Sequence, residues 1–265
     1  MKLHNVTLGA DPELFLYNTQ TQQLVSAIGK IPGSKTQPFK PQDLSNGYGL
    51  QTDNVLVEFN VPPTPLADKA TFINNLLNMR QYINQYVKQL NDNYTTQAIA
   101  SGYLPLDELT SDEAFVFGCD PDFNCYTQTI NCKPQLKDIN FRTAGFHIHV
   151  GYDNPNVRDS VTLIKYFDLF VGVPSILMDP DTERRSLYGK AGCYRLQPWG
   201  VEYRSLSAFF MSNSNTLEFV YNQVNKAIQA FEQNIKLPAA TLVTKAINEN
   251  NYKIANRLIQ KFNIV

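Results

Sequence analysis

The chain has 265 residues, 43% of them hydrophobic and 18% charged, with Lys+Arg 23 against Asp+Glu 24. That length can bury a real core and that composition argues against extended disorder, while the even charge balance offers no basic surplus for a nucleic-acid partner. No apolar run reaches membrane-spanning length, and the opening MKLHNVTLGADPE lacks the apolar core of a signal sequence. Cys119, Cys125, Cys132 and Cys193 show no CxxC spacing, so ordinary thiols in a reducing cytoplasm are expected, with no membrane association.

In chain order, VTLGADPELFLYN and QLVSAIG read as a hairpin around the polar turn NTQTQQ. NVLVEFNVPP alternates and stops on two prolines. Ile73, Leu76, Leu77, Ile83, Val87 and Leu90 recur at helical spacing, which predicts a long amphipathic helix over 66–90. EAFVFGCDPDFNCYT and FRTAGFHIHVGY return to strand, and 157–178 reads as a helix interrupted or ended near Pro174. GVEYRSLSAFF is one further strand, followed by a helix through Leu217, Val220, Val224, Ala227 and Phe231 and terminal helical segments over 239–262. With no internal repeat and no linker, the expectation is one α+β domain over 1–265, an antiparallel sheet covered by helices on one side.

Side chains alternate across a strand, so parity assigns faces. Asp11, Glu13 and Phe15 share one face; so do Asn54, Leu56, Glu58 and Asn60, with Val55, Val57 and Phe59 opposite. His147 and His149 oppose Phe146, Ile148 and Val150, and Glu202 shares a face with Arg204 and Leu206. A solvated sheet face explains such alternation in any one strand. Four strands carrying acids, imidazoles and a guanidinium, rather than Thr, Lys and Ser, point instead to a divalent-metal site for phosphoryl transfer. Magnesium takes carboxylate oxygens and shares a nucleotide's phosphates, which makes Glu13, Glu58 and Glu202 candidates. A neutral imidazole such as that of His149 supplies a ligand or a hydrogen bond to phosphate. For His147 a structural and a functional role stay equally open. A cupin reading of the His-x-His pair is weak, because only Asp153 follows closely.

The segment ERRSLYGKAGCYRLQPWGVEYRS, 183–205, holds Arg184, Arg185, Arg195, Arg204, Lys190 and three glycines. Arginine forks match phosphates and carboxylates, and glycines let backbone approach a ligand. A solvated basic turn is the bland alternative, and YGKAG is not a Walker loop, which needs Ser or Thr after Gly-Lys.

Taken together, GADPELFL, TDNVLVEFNVPP, FGCDPDFN, RTAGFHIHVGY, RRSLYGKAGCYR and GVEYRSLS resemble the motif series of the phage-type carboxylate–amine ligases. That family is related to glutamate–cysteine ligase and, more distantly, to glutamine synthetase. The resemblance runs from about residue 7 to 210 in the family's order and leaves out the C-terminal helices. It implies a curved antiparallel sheet forming a funnel or half-barrel, with helices outside and with ATP and Mg2+ as cofactors. By position, Glu13, Glu58, His149 and Glu202 are implied magnesium ligands or close neighbours, while Arg142, Arg185, Arg195 and Arg204 are implied contacts to phosphate or a substrate carboxylate. His147, Lys190 and Asn54 are placed beside the nucleotide, and Asp53 or Glu58 accepts a proton from the amine. Phe146 stands where relatives carry glycine, and by parity it should pack away from the histidines.

The implied reaction makes an amide or peptide bond through an acyl phosphate. A kinase acting on a guanidino or similar acceptor, and a non-catalytic binding protein on the same scaffold, are the alternatives. An amino acid, a peptide or a protein tail all fit as substrates. Loops 30–50 and 98–112 are expected to form lids. The source implied is a virus infecting bacteria, so the host cytoplasm is the expected compartment, and a homo-oligomer stays open.

Overall fold

The computed structural model describes residues 2–115, 122–131 and 138–264. The first half runs β1 (Thr7–Asn18), β2 (Gln23–Val25), β3 (Gly49–Asp53), β4 (Leu56–Asn60), β5 (Thr64–Pro65), α1 (Lys69–Leu90), β6 (Tyr94–Gln97), β7 (Ser101–Tyr103), α2 (Asp112–Phe115) and β8 (Phe123–Asn124). The second half runs β9 (Phe141–Thr143), β10 (Phe146–Gly151), α3 (Val157–Phe167), a π-helical turn at Asp168–Gly172, α4 (Val173–Ser175), α5 (Arg184–Leu187), β11 (Cys193–Gln197), β12 (Gly200–Tyr203), α6 (Ser214–Glu232), α7 (Ala240–Asn248) and α8 (Tyr252–Phe262). Among the described residues no helix is long and apolar enough to cross a membrane.

Ten strands form one antiparallel sheet along the path β3-β4-β1-β10-β12-β11-β8, with β2, β5 and β6 also paired to β1. Among the described residues the path does not close into a barrel. A small two-stranded sheet, β7-β9, stands apart. β1 is the longest strand and changes partners along its length. It pairs β10 through Pro12↔Phe146, then β4 from Glu13↔Glu58, and finally β2 and β6 over its last residues. Pro12 cannot donate to a ladder, and it sits where one ladder ends and the next begins.

The main core lies on one face of this sheet. Leu8, Ala10, Leu14 and Leu16 of β1, Val57 and Phe59 of β4, Phe146, Ile148 and Val150 of β10, and Val201 and Tyr203 of β12 all join it. Helix α1 presents Phe72, Ile73, Leu76, Met79, Ile83 and Val87, and α3, α6, α7 and α8 add their apolar faces. Each such side chain taken fully out of water contributes about 1.5–3 kcal/mol. Side-chain caps start the helices: Asp68 accepts from Thr71 N at 3.1 Å, Asn156 from Asp159 N at 3.0 Å, and Asn213 forms a capping box with Thr216. A smaller cluster of Phe15, Leu24, Val55, Leu56, Leu104 and Leu109 is separate from this core.

The expected hairpin, the long helix and the C-terminal helices are all present, and the fully buried Phe146 packs away from the histidines. Other expectations need correction. Residues 49 and 50, the end of the expected 30–50 loop, begin strand β3, and 98–112 contains β7. The arginine–glycine segment is not one loop, because α5 and β11 both form within it. The strand expected from 200 ends at Tyr203, so Leu206 turns into the main core instead of sharing the face of Glu202. The strand expected over 113–127 opens as α2 and closes as β8, while 116–121, including Cys119, lies outside the described residues, as does Cys132. The helix from 157 leaves α geometry at Asp168, six residues before Pro174, through the π turn.

That turn points a buried acid at the sheet. Tyr203 Oη on β12 donates to Asp168 Oδ1 at 3.0 Å. Burial pushes the Asp168 carboxyl up to about 7, against hydrogen bonds from Tyr203, Tyr126 and the Gly192 amide that favour its charged form. The folded state therefore holds this proton more tightly than the unfolded chain does. Its stabilising effect is complete below the ordinary value of 3.8 and is lost as pH rises through about 7. Urea melts of wild type and Asp168→Asn across that window should show wild type's margin over the variant shrinking as pH rises, then levelling. A margin constant with pH would mean that Asp168 titrates normally.

Candidate active site

The other face of the sheet carries the polar residues, and antiparallel register arranges them in rows. Gly9 pairs with His149, His149 with Glu202, and Glu202 with Arg195. One step along β1, Asp11 pairs with His147, and one step further Glu13 pairs with Glu58, which pairs with Gln51. Directly opposed residues on one face have Cβ atoms about 4.5–5.5 Å apart. Alternation that looks modest in each strand thus becomes a dense patch of charge once the strands align.

Two groups of three ligand atoms, each within 4.8 Å of one another, stand on this patch: Asp11, His149 and Glu202, and Glu13, Asp53 and Glu58. In the first, Asp11 Oδ1 lies 3.0 Å from His149 Nε2 and 3.2 Å from His147 Nδ1. Burial alone would raise the Asp11 carboxyl, but His149 and His147 hold it far below the usual range. Burial works against a charged His149, and the Asp11 charge outweighs it and raises the imidazole. Glu202 is pushed up by burial and by Asp11, yet Arg204 and the two histidines bring it below its ordinary value. Arg204 Nη1 donates to Glu202 Oε1, Gln197 Nε2 donates to Oε2 at 3.2 Å, and Arg195 Nη1 lies 3.6 Å from Oε2.

The second group is short of positive charge. Glu13 accepts from the Gly145 amide at 2.6 Å, and Glu58 from Gln51 Nε2 at 2.5 Å. Lys35 Nζ, 2.7 Å from Asp53 Oδ1, is a cation at its edge. Burial, then the charges of Asp11, Asp53 and Glu13, drive Glu58 well above the usual carboxylate range. Asp53 is raised by burial and Glu13, with Lys35 partly opposing.

The donor set fits a hard divalent cation, which prefers carboxylate oxygens with an imidazole at the margin. Two buried atoms bear on this directly. Asp11 Oδ1 and His149 Nε2 are both buried and 3.0 Å apart, without a well-aligned hydrogen bond between them.

Beside the second group opens a small cleft of about 60 Å³, with Arg142, Arg184 and Arg204 among the residues that line it. Gly189, at φ +70, makes the turn that closes over Arg184, a left-handed conformation glycine adopts without penalty. Arg184 Nη1 donates to the Ser205 carbonyl at 3.1 Å, its Nε has no hydrogen-bond partner, and Glu13 supplies opposite charge nearby.

The residues singled out from sequence divide accordingly. Glu13, Asp53, Glu58, His147, His149, Glu202 and Arg204 come together, with Arg195 at the edge beside Glu202. Arg142 reaches the cleft, but its guanidinium braces backbone, donating to the carbonyls of Ile139 at 2.8 Å, Phe141 at 2.7 Å and Ala114. Arg185 points toward the helices, donating to Asn250 Oδ1 at 2.9 Å and Ser175 Oγ at 3.1 Å. Lys190 is exposed and does not line the cleft; its carbonyl accepts from Ser205 Oγ at 2.8 Å. Asn54 sits at φ +52 in the turn between β3 and β4, not within the strand, and donates to the Glu113 carbonyl. Cys125 and Cys193 are buried thiols raised by burial, away from both groups.

Three site residues escaped the sequence reading as candidates. Asp11 shares the Glu13 face by parity, so the signal was present. Arg184 precedes Arg185, and in a helix one residue turns a side chain by about 100°; the four-residue α5 gives no periodicity from which to set that phase. Asp122, whose Oδ2 lies 3.8 Å from Arg204 Nε, falls within the motif FGCDPDFN but was given no role.

No curated protein matches the chain. Residues 137–263, from just before β9 through α8, match the family described as phage phiEco32-like COOH.NH2 ligase-type 2. That match takes in His147, His149, Arg184, Arg195, Glu202 and Arg204, so over these residues the chain is similar to the carboxylate–amine ligase, or amidoligase, family.

Proposed function

We propose that this protein joins a carboxylate to an amine at the expense of ATP, through an acyl phosphate, with Mg2+ at the two acidic groups. The observation that carries the proposal is the pairing of those groups, Asp11/His149/Glu202 and Glu13/Asp53/Glu58, with a cleft walled by guanidinium groups. A carboxylate is a poor electrophile, and phosphorylation gives it a leaving group. Bound Mg2+ would supply charge neutralisation for the phosphates of the nucleotide. Glu202 and Asp11, both held ionised by their neighbours, are the ligands ready to receive it. Arg184 and Arg204 orient the acceptor carboxylate and offset charge on the transferring phosphoryl. The amine must be neutral to attack, and Asp53, half screened by Lys35 at the cleft, is the group placed to take its proton. An amino acid, a peptide or a protein tail is the proposed amine partner. The proposed fold is the curved, funnel-like arrangement of the glutamine synthetase relatives, with the polar face inside.

ADP release from MgATP, measured with a mixed pool of amino acids and short peptides, should depend on the pool. Glu202→Gln and His149→Ala should each reduce it by about 100-fold or more, the scale on which positioned electrostatic groups act. Mass spectrometry of the product should find an amide; a phosphorylated acceptor instead would replace the ligase reading with a kinase. If MgATP failed even to raise the melting temperature, the nucleotide reading would fall.

The two adjacent arginines should separate in the same assay. Arg184→Ala should abolish pool-dependent release while the protein stays folded. Arg185→Ala should instead lower the melting temperature, because it strips donors from Ser175 and Asn250, and the remaining folded fraction should turn over normally. Equal loss of turnover in both variants would contradict this division.

A further inference from the structure

One step beyond the row of His149, Glu202 and Arg195 lies another, and it is nearly free of side chains. Thr7 pairs with Gly151, Gly151 with Gly200, and Gly200 with Gln197. The turn joining β11 to β12 then brings Trp199, the only tryptophan in the chain, over this row. Its ring centroid is 5.1 Å from that of His149, tilted by 40°. A Cβ built on Gly151 would stand 3.9 Å from Trp199 Cε3 and only 2.6 Å from Thr7 Oγ1. The indole therefore lies in van der Waals reach of the bare Gly151 position, while Thr7 Oγ1 is what a side chain there would press on. The indole rests beside His149 and Gly151, and Trp199 is still 40% exposed.

We infer that Trp199 is the platform on which the nucleotide's base stacks, an inference that rests on the ATP reading above. A nucleotide whose phosphates meet Asp11, His149 and Glu202 can extend in one of two directions. Inward lie Glu13, Glu58 and the cleft guanidinium groups, which suit a carboxylate or a phosphoryl group and not a flat, weakly polar ring. Outward, about 6.8 Å per two residues of strand, lies the glycine row with an exposed indole at its edge. Stacking on an aromatic side chain is the usual way a protein holds a base face, and it tolerates any base. The His149 ring serves both ends of this arrangement, with its Nε2 toward Asp11 and its ring beside the indole.

A single tryptophan makes the test direct. Full-length protein in Mg2+ is titrated with ATP and with inorganic tripolyphosphate, binding being followed by calorimetry and Trp199 by emission and by acrylamide quenching. Both ligands should bind, but only ATP should shield the indole. Trp199→Ala should weaken ATP binding about tenfold or more, the range of one base stack, and leave tripolyphosphate unchanged; Trp199→Phe should keep most of the ATP affinity. ATP that binds without shielding Trp199 in the wild-type protein would overturn the inference and leave the ligase reading intact, and so would equal weakening of both ligands by Trp199→Ala. Failure of both ligands to bind the wild type would overturn the ligase reading and this inference together.

Discussion

Negative charge gathered on one sheet face is the constraint that organises this protein. Asp11, Glu13, Asp53, Glu58 and Glu202 meet there with little exposure to water, and an uncompensated charge in such a place costs several kcal/mol. The first group meets the constraint internally. Asp11 is flanked by two imidazoles and Glu202 by Arg204, so both carboxyls sit below their ordinary range despite burial. The second group does not. Burial and the neighbouring acids push the Glu58 carboxyl well above its usual range, and Asp53 pairs with Lys35. Both groups bring three possible ligand atoms within 4.8 Å of one another, close enough that either could hold a metal ion.

The core behind that face holds it still. Tyr203 and Val201 alternate with Glu202 along β12, so the strand that aims Glu202 at the site also sends Tyr203 the other way, onto Asp168 at the π turn. A π turn widens the helix by one residue per turn, and π bulges recur at functional places. Here Asp168, its first residue, is the one that meets the tyrosine. Gly172 at the end of the turn belongs to the same fit, since a Cβ there would press on Tyr203 Oη at 2.5 Å.

How much of this the sequence disclosed depends on what each residue's neighbours are. Where a strand is long and alternates, as in GFHIHVGY, parity alone put His147 and His149 together and sent Phe146 to the core. Glu13, Glu58 and Glu202 followed by the same rule, and the motif order then tied the strands together. Where an element is short, periodicity has nothing to act on. The four residues of α5 carry two arginines whose directions differ by one helical step, and only the packed structure shows that Arg184 takes the cleft and Arg185 the helices. β3 and β11 were hidden because GLQTD and CYRLQ have polar or glycine neighbours that read as loop. Arg142 shows a third limit. A guanidinium beside a cleft reads as an anion contact, yet its donors are used on backbone carbonyls, which no side-chain pattern reveals.

The ladder between β1 and β10 finally bears on how the family match should be understood. That match begins at residue 137 and therefore includes His147, His149, Glu202 and the arginines, but none of Asp11, Glu13, Asp53 or Glu58. Each acidic group nevertheless needs the first half of the chain. Asp11 completes the group of His149 and Glu202, and the other group comes entirely from β1, β3 and β4. The register Asp11↔His147 and Gly9↔His149 is the seam where the two halves meet. A shift of one residue there would send Asp11 into the core and Ala10 or Pro12 to the site. Pro12, the apolar residues on the far side of β1 and the partner change at Glu13 all oppose such a slip. The recognisable half thus supplies imidazoles and guanidinium groups, while the half without a match supplies most of the carboxylates, and the charged face forms only where the two halves pair.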